Sequence, residues 1–198
     1  MSEIIITLET ERLRLCAWQE RHIAPFAAMN ADPAVMRHFP ALWSEERTRA
    51  MVARQQELFA QRGWGHWAVE LKDGGDFIGF IGLSEPPATL PCAPCVEIGW
   101  RLAARHWHQG YATEGARAVL RLGFEQLGLD EIVSFTAVTN TPSQAVMRRI
   151  GLQHEPARDF GHPAIPADSP LCRHLLFALT REAAARAGLV ASVRPGPG

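Results

Sequence analysis

The stretch at residues 96–127 constrains the fold of this chain more than any other. It predicts a strand over residues 96–102, a polar loop over residues 103–111, and then a helix. Apolar residues recur in that helix at steps of three and four, so one of its faces is apolar. They are Ala116, Leu120, Gly123, Phe124 and Leu127. Gly128 comes next and predicts the end of the helix.

The loop in this stretch is typical of an anion-binding helix start. Its last residues read His108-Gln109-Gly110-Tyr111-Ala112-Thr113. A helix that begins behind a glycine-containing loop presents several unpaired backbone N–H groups and a positive dipole end. An anion, most often a phosphate, is the usual occupant of such a position.

Composition predicts one soluble globular domain. The 198 residues are 47% hydrophobic and 21% charged, and the formal net charge is −1. Because no block of like charges is present, we expect no nucleic-acid partner and no electrostatic membrane anchor. No apolar run reaches the length of a membrane span, and the first residues, Met1-Ser2-Glu3, lack the basic end of a signal peptide. The cytoplasm is therefore the expected compartment.

Strands and helices alternate along the rest of the chain. Alternating and β-rich runs predict strands at residues 10–15, 67–71, 77–83, 130–138 and 171–179. Capping and breaking residues predict helices at residues 20–30, 44–61, 140–150 and 181–188. This order indicates an α/β protein of the α+β type with a mixed sheet. We expect one domain over residues 1–180 and a short helical or disordered tail over residues 181–198.

The loop motif resembles that of a known family. The loop is similar to the acetyl-CoA pyrophosphate loop of the GCN5-related N-acetyltransferases (GNAT), in the form found in the RimJ/RimL branch. Its residues are Trp107-His108-Gln109-Gly110-Tyr111-Ala112-Thr113-Glu114. Two residues depart from the pattern. Trp107 replaces the Gln or Arg of the general motif, and His108 replaces a glycine, which leaves the loop less free in its backbone angles.

Two further segments carry the same resemblance in the expected order. Thr10-Glu11-Arg12-Leu13 is similar to the opening signature of RimJ/RimL relatives. Residues 140–152 are similar to the family segment that begins with Asn and ends with Gly-Phe. The three matches cover roughly residues 8–180. They imply the GNAT fold, a central mixed, mostly antiparallel sheet of about six to seven strands flanked by about four helices, with a splayed strand pair holding acyl-CoA.

The resemblance also implies which residues hold acetyl-CoA, the expected co-substrate. The strand backbone at Trp100, Arg101 and Leu102 would pair with the pantetheine arm and offer an N–H to the developing oxyanion. The pyrophosphate would contact the loop, with Arg105 as a further phosphate contact. The loop residues are Trp107, His108, Gln109, Gly110, Tyr111, Ala112 and Thr113. The amide of Asn140 would bond the pantetheine, or else it serves only the local turn.

Catalytic residues follow less directly from the sequence. Many relatives use a tyrosine to protonate the leaving thiolate, but Met147 stands at that position. RimJ/RimL relatives have a serine at the place of Ser143, which implies a contact with the sulfur; the alternative is a serine that caps the helix. Glu97 is the first candidate for a general base, and a surface or ion-paired glutamate is the alternative. We expect Glu114 to favour the helix dipole rather than to take part in catalysis.

Cysteine and histidine positions do not predict a metal site. Cys92 and Cys95 form a lone Cys-x-x-Cys pair, and zinc would need two more ligands. Their Pro-rich loop also differs from the helix start that a redox pair needs. His106 and His108 are two residues apart, but no carboxylate or cysteine close in sequence completes a ligand set. We expect reduced thiols and no metal.

The sequence therefore predicts an N-acyltransferase that moves an acetyl group from acetyl-CoA to a primary amine by direct attack in a ternary complex. The amine belongs either to a protein N-terminus or to a small molecule. By resemblance, the helices at residues 20–30 and 44–61 form one wall of its site, and Trp43, Trp64 and Trp67 are candidates for this wall or for the core. The alternatives are a non-catalytic acyl-CoA sensor on the same fold and a plain interaction module. The oligomeric state, a homodimer included, is left open.

Overall fold

The chain divides into two compact units. The computed structural model describes residues 6–191. One unit comprises Met1–Ser84 and Gly99–Ala118, and the other comprises Glu85–Ile98 and Val119–Gly198.

The first unit is built on antiparallel strands. In chain order they are β1 (Leu8–Glu9), β2 (Leu13–Cys16), β3 (His66–Leu71), β4 (Phe77–Ser84) and the later part of β5 (Glu97–Leu102). Strands that follow one another in the sequence lie side by side, and β1 to β4 pair antiparallel. Strands β3 and β4 form a hairpin, and its turn contains Gly74 and Gly75, which have φ values of 82° and 72°.

The first unit contains three helices, and the longest begins and ends close to the residues that the sequence indicates. They are α1 (Ile23–Asn30), α2 (Pro33–Met36) and α3 (Glu45–Arg62). A 3-10 turn at Glu20–His22 precedes α1. The hydroxyl of Ser44 accepts from Arg47 N at 3.1 Å and caps α3, and Gly63 ends it at a φ of 75°. Helix α2 was not predicted as a separate element.

The buried face of α3 differs from the predicted one. The apolar residues of α3 predict a core face formed by Met51, Leu58 and Phe59, but of these only Phe59 is buried. The buried face consists of Thr48, Val52, Gln55 and Phe59. Both polar members are satisfied, because Gln55 Oε1 accepts from the backbone N–H of His66 at 2.8 Å and Thr48 accepts from Asn30. Apolar periodicity alone therefore predicts a face of α3 that is shifted by about one residue from the buried one.

The second unit also contains a sheet. It comprises the start of β5, then β6 (Glu131–Ala137), β7 (Gln153–His154), β8 (Phe160–Gly161) and β9 (Arg173–Thr180). Strands β5 and β6 are parallel and share one ladder pair, Glu97 with Val133, whereas β6 pairs antiparallel with β9 along its whole length. Its core cluster is formed by Leu90, Val133, Phe160, Leu176 and Ala178.

The remaining helices end at glycines as the sequence predicts. Helix α4 (Tyr111–Glu125) runs from the first unit into the second, which also holds α5 (Thr141–Arg149) and α6 (Arg181–Arg186). Gly128 and Gly151 follow α4 and α5 with φ values of 72° and 98°. The mixed, mostly antiparallel sheet is thus confirmed. Residues 6–191 hold more strands and helices than expected, and the additional ones are mainly elements of two to six residues.

Within the part of the chain that the structure describes, no helix combines the length and the apolar character needed to cross a bilayer. The predicted cytoplasmic compartment stays a prediction. So does the division into a domain over residues 1–180 and a tail, whose end at residues 195–198 lies outside the described residues.

Close packing of two backbones at Gly82 gives the first prediction. A Cβ at Gly82 would lie 2.1 Å from the carbonyl oxygen of Gly65, and a backbone oxygen cannot rotate away. Gly82→Ala should therefore lower the free energy of unfolding by about 1–3 kcal/mol, measured by urea denaturation. Gly99→Ala is the matched control, because its Cβ would meet nothing closer than His66 Nε2 at 3.8 Å. Equal losses in the two variants would contradict this steric explanation.

Candidate active site

The predicted phosphate loop is an irregular segment that leads into α4. A 3-10 turn at Ala104–His106 follows β5, and Trp107 Nε1 donates to the carbonyl of Leu102 at 2.8 Å. Gly110 has a φ of 83°, and its carbonyl accepts from Glu114 N at 3.0 Å, so the helical ladder begins there. The N–H groups of the first helical turn are therefore left for an external acceptor.

His108 carries backbone strain in this loop. Its φ of 61° is left-handed, and no other non-glycine residue among residues 6–191 has a positive φ. This conformation costs an L-residue about 1–2 kcal/mol. The loop thus adopts at His108 a shape for which glycine is the usual residue.

The carboxylate of Glu114 ties the first turn of α4 to the turn between β1 and β2. Glu114 Oε1 accepts from Thr10 Oγ1 at 2.6 Å and from Arg12 N at 2.8 Å, and Glu114 Oε2 accepts from Arg12 Nε at 2.7 Å. The side chain of Glu114 is 17% exposed. Burial by itself would raise the pKa of Glu114, but these hydrogen bonds and the charge of Arg12 outweigh it and hold the pKa below its usual value.

Arg12 extends this contact to the loop itself. Its Nη1 donates to the carbonyl of Gln109 at 2.9 Å, and its guanidinium carbon lies 4.5 Å from the centre of the Tyr111 ring. The side chain of Arg12 therefore contacts the residues on both sides of Gly110, while Glu114 balances its charge. The sequence indicated Arg12 and Glu114 separately, and the structure brings them together as one support for the loop.

Strand β5 places the predicted pantetheine-binding backbone in the first unit. Trp100 is half-buried there, and Arg101 and Leu102 are buried. The N–H of Ala103 donates to the carbonyl of Ile78 at 2.9 Å, directly after the strand ends. Contacts of this backbone with pantetheine and with an oxyanion stay predictions.

The Arg101 side chain has surroundings that sequence reasoning did not indicate. Its guanidinium carbon lies 4.1 Å from the ring centre of Phe39 and 4.4 Å from that of Trp43. Nη1 donates to Asn30 Oδ1 at 2.7 Å, but Nε has no hydrogen-bond partner among the described residues. Burial, and to a lesser degree the charge of Arg47, lowers the pKa of Arg101 to about 10, so the group is a cation at neutral pH.

The three tryptophans considered for the acceptor wall have different surroundings. Trp67 is fully buried, and its Nε1 donates to the carbonyl of Ile6 at 2.7 Å, so it belongs to the core. Trp64 stacks on Arg62 at 3.5 Å. Trp43 is half-buried beside Arg101. Of the three, Trp43 is the one that borders an unpaired polar group.

In the second unit, Asn140 rather than Ser143 caps α5. Asn140 Oδ1 accepts from Ser143 N at 3.3 Å, and Asn140 Nδ2 donates to Thr136 Oγ1 at 2.9 Å. The hydroxyl of Ser143 makes no hydrogen bond within the described chain, so the capping explanation for this serine does not hold. Met147 is 1% exposed. The pantetheine contact of Asn140 and the sulfur contact of Ser143 stay predictions.

Glu97 lies half-buried at the start of β5, near two cysteines of the second unit. Burial raises the pKa of Cys95 to about 12, with further contributions from Cys92 and from the charge of Glu97. Burial also raises the pKa of Cys92. Both thiols therefore stay protonated at neutral pH, which disfavours a redox role. The general-base role of Glu97 stays a prediction.

A buried polar cluster lies in the first unit, and no sequence pattern indicated it. The potential ligand atoms of Cys16, His22 and Glu70 lie within 4.8 Å of one another. Glu70 Oε1 is bonded to His22 Nε2 at 2.8 Å and accepts from Arg21 Nε at 3.1 Å. Because His22 Nδ1 accepts from Gln19 N at 3.1 Å, the ring proton lies on Nε2, the atom that would face an ion. Burial raises the pKa of Cys16 to about 11, so this thiol stays protonated and the cluster is suited to a hydrogen-bonded network around the Glu70–Arg21 ion pair.

A cavity of about 200 Å³ opens in the first unit beside the end of β5. Its lining includes Met29, Asp32, Phe77 and Arg105. Pockets that enclose a whole small ligand usually measure about 300–1,000 Å³. This cavity is therefore large enough for only part of a cofactor or acceptor.

The support of Glu114 gives a prediction with a defined pH dependence. A carboxyl group whose pKa is lowered in the folded state stabilises the fold above its unfolded pKa, and this contribution is lost as the pH falls through the folded value. Glu114→Gln should therefore lower the free energy of unfolding by about 1–3 kcal/mol at pH 7. The difference from the parent protein should shrink between about pH 5 and pH 3. Urea denaturation across this range measures it, with exposed Glu46→Gln as the control. A difference that does not change with pH would count against the ion pair.

Known proteins share this architecture. The family model described as acetyltransferase (GNAT) domain matches residues 12–153. The FsC-acetyl coenzyme A-N(2)-transacetylase of Aspergillus fumigatus is 32% identical over 155 residues, which span 75% of this chain and 65% of that protein. The crystal structure of a GNAT-family acetyltransferase from Bacillus anthracis matches with a TM-score of 0.74 and 26% identity, covering 89% of this chain and 99% of that one.

The fold is also shared with RimL, a ribosomal L7/L12 alpha-N-protein acetyltransferase whose structure was determined in complex with coenzyme A. That match has a TM-score of 0.69 and 20% identity, and it covers 91% of this chain and 99% of the other. The matched residues include the predicted phosphate loop, the ion pair between Arg12 and Glu114, and the capped helix α5. This chain therefore belongs to the GNAT acetyltransferases, the family that its loop sequence resembles.

Proposed function

We propose that this protein transfers an acetyl group from acetyl-CoA to a primary amine by direct attack in a ternary complex. The observation that carries the proposal is the loop at residues 107–113, which Arg12 supports and which ends at the first turn of α4. The N–H groups of that turn and the helix dipole suit a pyrophosphate. Arg105 and His108 are exposed on the same loop and would add contacts to the phosphates.

The acceptor is expected to be an amine that is already partly neutral. A peptide α-amine has a pKa near ~8, whereas a lysine amine has a pKa near ~10.4. Deprotonating the lysine amine therefore costs about 3 kcal/mol more than deprotonating the α-amine, at roughly 1.36 kcal/mol per pKa unit. Glu97 is the one base candidate from the sequence, and it lies near Cys92 and Cys95. An α-amine therefore suits this protein better than a lysine.

A second function, a non-catalytic acyl-CoA sensor, is favoured by one observation. Met147 is buried at the position where many relatives have a tyrosine, so the usual acid is missing from that position. A panel of peptide and small-molecule amines separates the two functions. The enzyme should release free thiol from acetyl-CoA with at least one amine. A sensor should gain thermal stability from CoA without releasing thiol with any of them.

Replacement of Gly110 tests the cofactor site. A valine at Gly110 would have to adopt a φ of 83°, and it would add bulk where the pyrophosphate approaches. Gly110→Val should weaken acetyl-CoA binding by about tenfold or more in calorimetry, the scale of a lost charge-assisted hydrogen bond. Ala112→Val tests the same approach from inside the helix, without a positive φ. Gly63→Val is the control, because it places a valine at a φ of 75° at the end of α3, outside the loop, and should keep the affinity. Parent-like binding by Gly110→Val would show that the site lies elsewhere.

Replacement of Ser143 tests its role in turnover. Its hydroxyl makes no hydrogen bond among the described residues, so removing it should change the melting temperature little. Ser143→Ala should lower turnover by about one to two orders of magnitude, on the scale of lost general-acid assistance. Asn140→Ala should instead lower the free energy of unfolding by about 1 kcal/mol, because it removes the cap of α5. Unchanged turnover in Ser143→Ala would remove this serine from the mechanism.

A further inference from the structure

Arg101 is a buried cation without an anionic partner in the described chain. It is 7% exposed, and no carboxylate of residues 6–191 forms an ion pair with it. Its one hydrogen bond runs from Nη1 to Asn30 Oδ1 at 2.7 Å. Buried guanidinium groups are normally paired, because removing a charge from water is costly. The position therefore calls for an explanation other than packing.

A second arginine lies against the same aromatic ring. The guanidinium carbons of Arg101 and Arg47 lie 4.4 Å and 4.5 Å from the centre of the Trp43 ring. Aromatic faces attract cations, but an indole has no net charge with which to neutralise two of them. The positive charge around Trp43 thus stays uncompensated within the described residues.

Two unpaired polar atoms border one further ring. Among residues 6–191, the buried side-chain nitrogens or oxygens without a hydrogen-bond partner are Arg101 Nε and His66 Nδ1. The ring centre of Phe80 lies 5.5 Å from the Arg101 guanidinium carbon and 4.8 Å from the His66 ring centre. Unsatisfied groups of this kind are rare in folded proteins, and two beside one ring indicate a missing polar partner.

The guanidinium of Arg101 is held in one orientation. Asn30 accepts from its Nη1 and donates to Thr48 Oγ1 at 3.1 Å, and Thr48 in turn donates to the carbonyl of Ser44 at 3.0 Å. In a guanidinium, Nε–H and one terminal N–H point in the same direction. The edge that contains the unpaired Nε can therefore bind both oxygens of one carboxylate. Such a preordered edge lowers the entropic cost of binding.

The segment over Arg101 is irregular and partly exposed. Residues 37–43 connect α2 to α3 without a helix or strand. Phe39 and Trp43, which contact the guanidinium, are half-buried, and Leu42 is 49% exposed. These two rings therefore contact the guanidinium and are themselves partly open to the solvent.

We propose that Arg101 binds a carboxylate of the amine acceptor and so selects acceptors that carry a negative charge. The inference rests on the proposed function, because the acceptor is the second substrate of the same transfer. The carboxylate would pair with Nε and the neighbouring terminal nitrogen, and it would neutralise the charge around Trp43. A peptide that has a free α-amine together with a C-terminal or side-chain carboxylate has this chemistry.

Matched dipeptides test the inference with the amine held constant. Ala-Ala is compared with its C-terminal amide, and Ala-Glu-amide with Ala-Gln-amide, so the two pairs distinguish a C-terminal from a side-chain carboxylate. Thiol release from acetyl-CoA gives kcat/KM for each peptide. The parent enzyme should prefer the carboxylate form of at least one pair by about tenfold or more, the scale of a hydrogen bond between charged groups.

Variants of Arg101 then assign the preference to this side chain. In Arg101→Met the ratio of kcat/KM values within the preferred pair should fall to about one. Arg101→Lys should keep part of the preference, because it retains the charge and loses the two-pronged geometry. Arg54→Met is the matched control, an exposed arginine on α3 whose loss should leave the ratio unchanged. If circular dichroism shows that Arg101→Met does not fold, the test uses Arg101→Lys instead. The ratio of kcat/KM values within the preferred pair should then be lower in Arg101→Lys than in the parent enzyme.

The outcomes separate this inference from the proposed function. Equal rates within both pairs, or a preference that both Arg101 variants retain, overturn the carboxylate site and leave acetyl transfer standing. If no dipeptide releases thiol, acetyl transfer to peptides fails. Calorimetry with N-acetyl-Ala-Ala and its amide, in the presence of CoA, then decides the inference. If the parent protein binds N-acetyl-Ala-Ala but not its amide, and Arg101→Met binds neither, the result supports a carboxylate site. Any other result overturns it.

Discussion

The ion pair between Arg12 and Glu114 is the interaction on which the candidate cofactor loop depends. It joins residues that are 102 positions apart in the chain, and the same guanidinium donates to the carbonyl of Gln109. Left-handed backbone at a non-glycine residue such as His108 persists only where the surroundings fix it. Arg12 supplies that support from outside the loop. Because Glu114 balances its charge, Arg12 supports the candidate phosphate loop without adding a free cation to it.

Local chemistry explains which parts of the fold could be predicted. Helices are often capped by a side-chain acceptor at the first turn and often end at a left-handed glycine, so Ser44 and Gly63 indicate the bounds of α3 from a few neighbouring residues. The loop ending in Gly110 is predictable for the same reason. The buried face of α3 was missed because Thr48 and Gln55 are polar, and their hydrogen-bond partners come from other elements.

Sites assembled from distant segments leave no comparable signal. The surroundings of Arg101 come from α1, from the segment before α3 and from β4, and no single window of sequence contains them. The cap of α5 lies within one short window of sequence, but the sequence alone does not identify it. Asn140 and Ser143 are both plausible caps by residue type, and only the hydrogen bond from Ser143 N to Asn140 shows which one acts. Ser143 is thereby left with a hydroxyl that is available for chemistry.

Arg12 and Arg101, both in the first unit, differ in how their charge is balanced. Arg12 is partly exposed and has a carboxylate at 2.6 Å, so it can hold structure with or without a ligand. Arg101 is buried and has no such carboxylate in the described chain, so the fold carries its desolvation penalty with only aromatic rings and one amide as compensation. A neutral residue of similar size would avoid that penalty. A cation at Arg101 is explained if the acceptor brings a carboxylate. The attraction between the two charges then contributes to binding and selectivity rather than to folding.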